Sequence, residues 1–108
     1  MAIDGGNASF TPGTGTKTIA LGMTPTWMRI TVKGSAFLPF QGFIYSGFQY
    51  CYPDNSTNLD TTKAIKIKNS AGTVVIEGTW TSFSSNNANF TLTTNSGTPP
   101  TMMLEFGN

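Results

Sequence analysis

Apolar residues recur at every second position through most of this chain, and the segments that keep this period predict strands. The cleanest is Trp27–Lys33, where Met28, Ile30 and Val32 point one way and Trp27, Arg29, Thr31 and Lys33 the other. Residues 16–21 predict a strand with Ile19 and Leu21 inward and Lys17 and Thr18 towards water or a partner. Lys63–Lys68 sets Ile65 and Ile67 inside and three lysines outside. Asn69–Gly72 is a turn with glycine where positive φ is wanted, so residues 63–81 predict a hairpin. Phe90–Thr93 turns Phe90 and Leu92 inward, and Thr101–Phe106 closes the fold. In the small, polar opening of the chain only Ala8–Thr11 predicts a strand.

The alternation disappears between Phe37 and Tyr52, a densely aromatic stretch broken by Pro39, Gly42 and Gly47. It predicts two short strands, 42–45 and 48–52, separated by a bend or bulge at Ser46-Gly47. Residues 53–60 form a polar loop rich in Asn, Asp and Ser. No segment combines helical period with helical caps. About eight short strands between turn signals predict an all-β fold, a single antiparallel β-sandwich of jelly-roll-like or immunoglobulin-like kind. The cysteine pair of a true immunoglobulin domain is missing, which favours the jelly-roll-like form. One domain is expected over 1–108, with 1–15 as an extended N-terminal arm.

Composition narrows the function. Only 10% of the 108 residues are charged, with a net charge of +1, against about a quarter charged in an ordinary domain. There is no basic excess to neutralise phosphates, so no nucleic-acid partner is expected. Histidine is absent and there is one cysteine, which removes the commonest general base and any thiolate metal cluster. No stretch approaches the length of a transmembrane helix, and Met1–Gly6 has neither the basic nor the apolar region of a secretory signal. A low-charge domain is either a stiff extracellular module or one covered by partners in an assembly.

Candidate chemistry is correspondingly thin. The carboxylates are Asp4, Asp54, Asp60, Glu77 and Glu105. Asp54 and Asp60 share a loop in which turn formation accounts for Asp, and the two glutamates sit in strands facing outward. The same loop lacks the glycine and terminal glutamate of an EF-hand. Cys51, between Tyr50 and Tyr52, has no histidine to activate it and reads as a small buried apolar residue. The expectation is therefore a non-enzymatic protein with no catalytic residues, no cofactor and no metal. Lys63, Lys66 and Lys68 read as guards of an edge strand against aggregation.

Two surfaces are candidates for binding. Ile3 and Phe10, with Phe37, Leu38, Phe40, Phe43 and Tyr45, lie in short, glycine- and proline-broken segments that cannot easily bury them, and form a candidate protein interface. Trp27, Tyr50 and Tyr52, with Asp54 and Asp60 of the neighbouring loop, form an alternative candidate, a platform for stacking on sugar rings. By the pattern Trp27 is the best exposed of the aromatic candidates Trp27, Trp80, Tyr45, Tyr50 and Tyr52, because it lies opposite Met28, Ile30 and Val32.

Gly15-Thr16-Lys17-Thr18-Ile19-Ala20-Leu21-Gly22-Met23-Thr24-Pro25-Thr26-Trp27-Met28-Arg29-Ile30 resembles a recurring segment of tailed-bacteriophage structural proteins. Thr79-Trp80-Thr81-Ser82-Phe83, followed by Asn89-Phe90-Thr91-Leu92, resembles the C-terminal hairpin of the same domains, with Asn89 where the pattern commonly has glycine. Together these cover about a third of the chain. The resemblance implies a virion component; the small size, neutral composition and lack of an export signal suit assembly from the host cytoplasm and a subunit that decorates the capsid first, a head-fibre or tail-tip subunit second. Capsid or tail proteins of the same particle are the expected partners, and the low-charge surface suits contacts with further copies of the chain. A receptor- or carbohydrate-binding role on a host surface glycan is the alternative.

Overall fold

A computed structural model describes residues 5–10, 13–33, 36–53, 59–94 and 100–108. Among them are nine strands: β1 Gly5–Phe10, β2 Gly15–Ala20, β3 Trp27–Lys33, β4 Gln41–Tyr45, β5 Phe48–Tyr52, β6 Ile65–Lys68, β7 Val74–Ser84, β8 Asn87–Thr94 and β9 Thr101–Gly107. They form two antiparallel sheets, one ordered β1-β9-β3-β4-β5 and the other β2-β8-β7-β6. The core lies between the sheets. Met28, Ile30, Ile44, Met102 and Leu104 enter it from the first, and Ile19, Ile65, Ile67, Ile76, Phe90 and Leu92 from the second.

Each tight connection has a local cause. Ser46 and Gly47 have φ of 53° and 83° and join Tyr45 to its cross-strand partner Phe48. Positive φ at both central residues is the turn whose twist matches a hairpin, so this is a two-residue turn and not the bend or bulge the sequence suggests. Ser85 and Asn86, with φ of 52° and 64°, do the same between β7 and β8. Gly72 takes φ 85° in the turn between β6 and β7, where the expected hairpin forms.

Three expectations need correction. Residues 5–10 are hydrogen-bonded along β9 instead of forming an arm, because Ala8 and Phe10 alternate onto the core. Lys17 shares the inward side of β2 with Ile19 and is half-buried, as strict alternation requires. Phe40, nominated for an exposed interface, is only 4% exposed. Gly42 carries no side chain there, and a Cβ at that position would meet both the Phe40 ring and the Ala64 carbonyl.

Candidate functional site

The two outer faces of the molecule differ in chemistry. On the β2-β8-β7-β6 sheet the cross-strand partners are Thr16 and Thr91, Thr18 and Asn89, Thr91 and Thr79, Glu77 and Lys66. Side-chain hydrogen bonds tie this surface together: Thr18 Oγ1 donates to Asn89 Oδ1 at 2.9 Å, and Asn89 Nδ2 donates to Ser82 Oγ at 3.1 Å. This is a face suited to water.

The outer face of the five-stranded sheet is aromatic. Antiparallel register places Trp27 beside Tyr45 and Tyr45 beside Phe48, then Arg29 beside Phe43 and Phe43 beside Tyr50, then Thr31 beside Gln41 and Gln41 beside Tyr52. Residues directly opposite on adjacent strands share a face, so six aromatic side chains, all three tyrosines among them, cover β3, β4 and β5. Tyr45 and Phe48 are 66% and 74% exposed; Trp27, expected to be the best exposed of the aromatic candidates, is instead half-buried beside Tyr45, and Phe43, Tyr50 and Tyr52 are half-buried as well. Towards β9 and β1 the same face becomes polar, with Met103 the exception. Arg29 Nη1 lies 3.9 Å from Glu105 Oε1, and Asn7 stands opposite Glu105.

Ring orientation decides what such a face can hold. Phe43 and Tyr50 stack with centroids 5.1 Å apart and planes 21° apart. Tyr52 meets both edge-on, each at 6.4 Å. These rings pack on one another, stacked or edge-on, instead of lying side by side in one plane. That suits an interdigitating protein surface better than a flat sugar ring, which needs an open ring face.

The nominated residues therefore separate. Phe43 and Tyr45 from the interface set, and Trp27, Tyr50 and Tyr52 from the glycan set, come together on this one face. Phe10 instead stacks on Phe90, centroids 6.2 Å apart, and Phe37 packs against the core. Leu38 is half-buried, its N–H donating to Lys68 O at 2.9 Å. Ile3 and Asp54 lie outside the described residues.

Asp60 is committed to local bonds. Its Oδ1 accepts from Thr62 N at 2.8 Å and Thr62 Oγ1 at 2.7 Å, and Oδ2 accepts from Lys66 Nζ at 3.3 Å. Burial opposes the charged carboxylate, but these partners outweigh it and hold the pKa below its ordinary value. Cys51 is buried, and burial, reinforced by the Asp60 charge, pushes its thiol up to about 12. No group of three or more His, Cys, Asp or Glu side chains stands ready for a metal among the described residues.

Phe48, the most exposed aromatic residue, is not among the residues the sequence nominates. The signal for it was the Ser46-Gly47 pair: once read as a two-residue turn, it forces Phe48 opposite Tyr45 and onto the same face.

No protein-family model matches this chain, nor does any curated protein or solved structure.

Proposed function

We propose that this chain is a non-enzymatic structural protein that attaches to protein neighbours through the aromatic outer face of β3, β4 and β5. The observation that carries this reading is the asymmetry of the two outer faces, one hydrogen-bonded and polar, the other aromatic and not covered by any of the described residues. Covering what Tyr45 and Phe48 leave exposed would contribute on the order of 5 kcal/mol of gross apolar stabilisation, before the costs of association. The rim of Arg29, Glu105, Asn7 and Thr31 supplies the polar border that interfaces usually have around an apolar centre.

The resemblance of residues 15–30 and 79–92 to tailed-phage segments supplies the setting: the surface of a virion, with decoration of the capsid as the leading role and repeated weak contacts summed by avidity. On this reading the two packed sheets are a β-sandwich of jelly-roll-like kind. The nested pairing of β1 with β9 and of β2 with β8 supports that form over the immunoglobulin-like one.

A glycan-binding module is the second reading, favoured by the row Trp27, Tyr45, Phe48. The experiment is co-sedimentation of the purified protein with particles of the phage whose genome carries its gene. The expected result is that the protein travels with the particles and that Tyr45→Ser/Phe48→Ser stays at the top of the gradient. A wild-type protein that never leaves the top overturns the virion reading. A glycan array bound by the wild type and lost with Trp27→Ala would put the second reading first.

A further inference from the structure

We infer that β1 is a strand-pairing edge and that its occupant is β1 of a second copy of this chain, giving a two-fold dimer with a continuous sheet. A sheet edge exposes unpaired backbone N–H and C=O groups, and proteins normally blunt it with charge, covering or irregularity. Three of the four edges here are blunted. At the edge of β5, the Cys51 N–H and C=O are taken by the Asp60 backbone, both bonds 2.9 Å. At β6, a four-residue strand with Lys66 and Lys68, the register shifts after Ile67, and Leu38 N–H reaches Lys68 O at 2.9 Å. At β2, an inward lysine, Lys17, sits mid-strand.

β1 has none of these devices. Gly5-Gly6-Asn7-Ala8-Ser9-Phe10 is six residues long without charge or proline, and on its outer side no backbone partner is found among the described residues. The strand is also complementary to itself. An antiparallel copy that keeps exposed residues on one face must centre on Asn7 or on Ala8. The first register sets Gly5 opposite Ser9; the second sets Gly6 opposite Phe10 and Asn7 opposite Ser9. Either joins equal lengths and brings no like charges together, whereas self-pairing of β6 would confront lysines.

A two-fold axis normal to the sheet closes this contact after two copies. It also sets both aromatic faces on the same side, so that one dimer offers two copies of that face to one surface. The inference stands independently of what covers the aromatic face, since it rests on the edge and not on the rings.

The test is sedimentation equilibrium of the full chain from micromolar to millimolar concentration, with amide hydrogen exchange at both ends of the range. We expect the mass to rise from 11.5 kDa to twice that value, with exchange in residues 5–10 slowing as it does. Ser9→Lys and Asn7→Lys/Ser9→Lys should weaken the dimer at least tenfold. Both side chains are exposed, and Glu105 opposite position 7 offers a new lysine an ion pair within the monomer, so folding should survive. If a variant fails to fold, the exchange of wild-type β1 amides alone decides. A mass of 11.5 kDa throughout overturns the inference. So does a dimer that ignores the lysines and dissociates with Tyr45→Ser/Phe48→Ser.

Discussion

The side-chain amide of Gln49 makes both hydrogen bonds to the backbone of Trp80, Oε1 accepting from Trp80 N at 2.8 Å and Nε2 donating to Trp80 O at 3.1 Å. The pairing of β6 with β7 runs out at Gly78, whose carbonyl accepts from Ala64 N at 3.2 Å. Trp80, two residues further along, would carry backbone groups with no strand beside them. Gln49 points inward from the other sheet and completes the ladder with a side chain. One residue thereby links the two layers at the level of the β7 bulge.

Replacing Gln49 by leucine should accordingly cost about 2 kcal/mol, because it leaves a donor and an acceptor of similar burial unsatisfied. Urea unfolding of Gln49→Leu checks this, with the slope unchanged and the midpoint lowered. A cost below about 0.5 kcal/mol would mean that water replaces the amide without loss.

Two glycines are held by what lies above them. A Cβ on Gly42 would overlap the Ala64 carbonyl oxygen, and one on Gly78 would overlap a methyl group of Leu92 and approach Thr91 O at 2.9 Å. Leu92 can change rotamer, whereas the Ala64 carbonyl is backbone and cannot move alone. Gly42→Ala should therefore be the more damaging, by about 3 kcal/mol, with Gly78→Ala nearer about 2 kcal/mol. Thermal unfolding of the pair would reveal the order, and equal or negligible losses would show that the sheets separate more easily than their packing suggests.

The same elements explain what the sequence could and could not disclose. In β3 one face carries Met28, Ile30 and Val32 and the other, apart from Trp27, is polar, so alternation alone assigns Met28 and Ile30 to the core. In β4 and β5 it cannot, because Phe43 and Ile44 are both apolar and the period is hidden; only the turn at Ser46-Gly47 fixes which of them is outside. Phe40 is buried beside Gly42, where a Cβ would meet both its ring and the backbone carbonyl of Ala64, 22 residues further along the chain, a relationship visible only in three dimensions. Gln49 is legible as a polar residue in an apolar run, but its partner, 31 residues away, is left open only because the pairing of β6 with β7 ends at Gly78.

Two groups make stability depend on pH in opposite ways. The Cys51 thiol, raised from 9.0 to about 12 by burial first and the Asp60 charge second, stays protonated in the fold while the unfolded chain ionises. Stability is thus full below about pH 9 and falls as pH rises towards 12. Asp60 is held below its ordinary 3.8 by Thr62 and Lys66 against the opposing effect of burial. Its contribution is present above that value and is lost as pH falls through the folded pKa. Cys51→Ala should flatten the alkaline decline, and Asp60→Asn the acid one, in unfolding midpoints measured across pH. A thiol that reacts rapidly with a disulfide reagent at pH 8 in the native protein would contradict the burial of Cys51.

Separating attachment from stability is the sharpest test of the aromatic face. Phe90 is fully buried and Phe48 is 74% exposed, so identical substitutions at the two positions should behave oppositely. Phe90→Ala should lose about 4 kcal/mol to the cavity it leaves. Phe48→Ala should change stability by less than about 0.5 kcal/mol, as surface positions do, while abolishing most particle attachment. Arg29→Ala should be equally mild, since its ion pair with Glu105 is long and solvent-exposed on both sides. Unfolding midpoints and co-sedimentation, measured on the same three variants, give the comparison. If Phe48→Ala destabilises the fold as much as Phe90→Ala, the ring belongs to the domain's own packing, and the face is not a surface kept open for a neighbour.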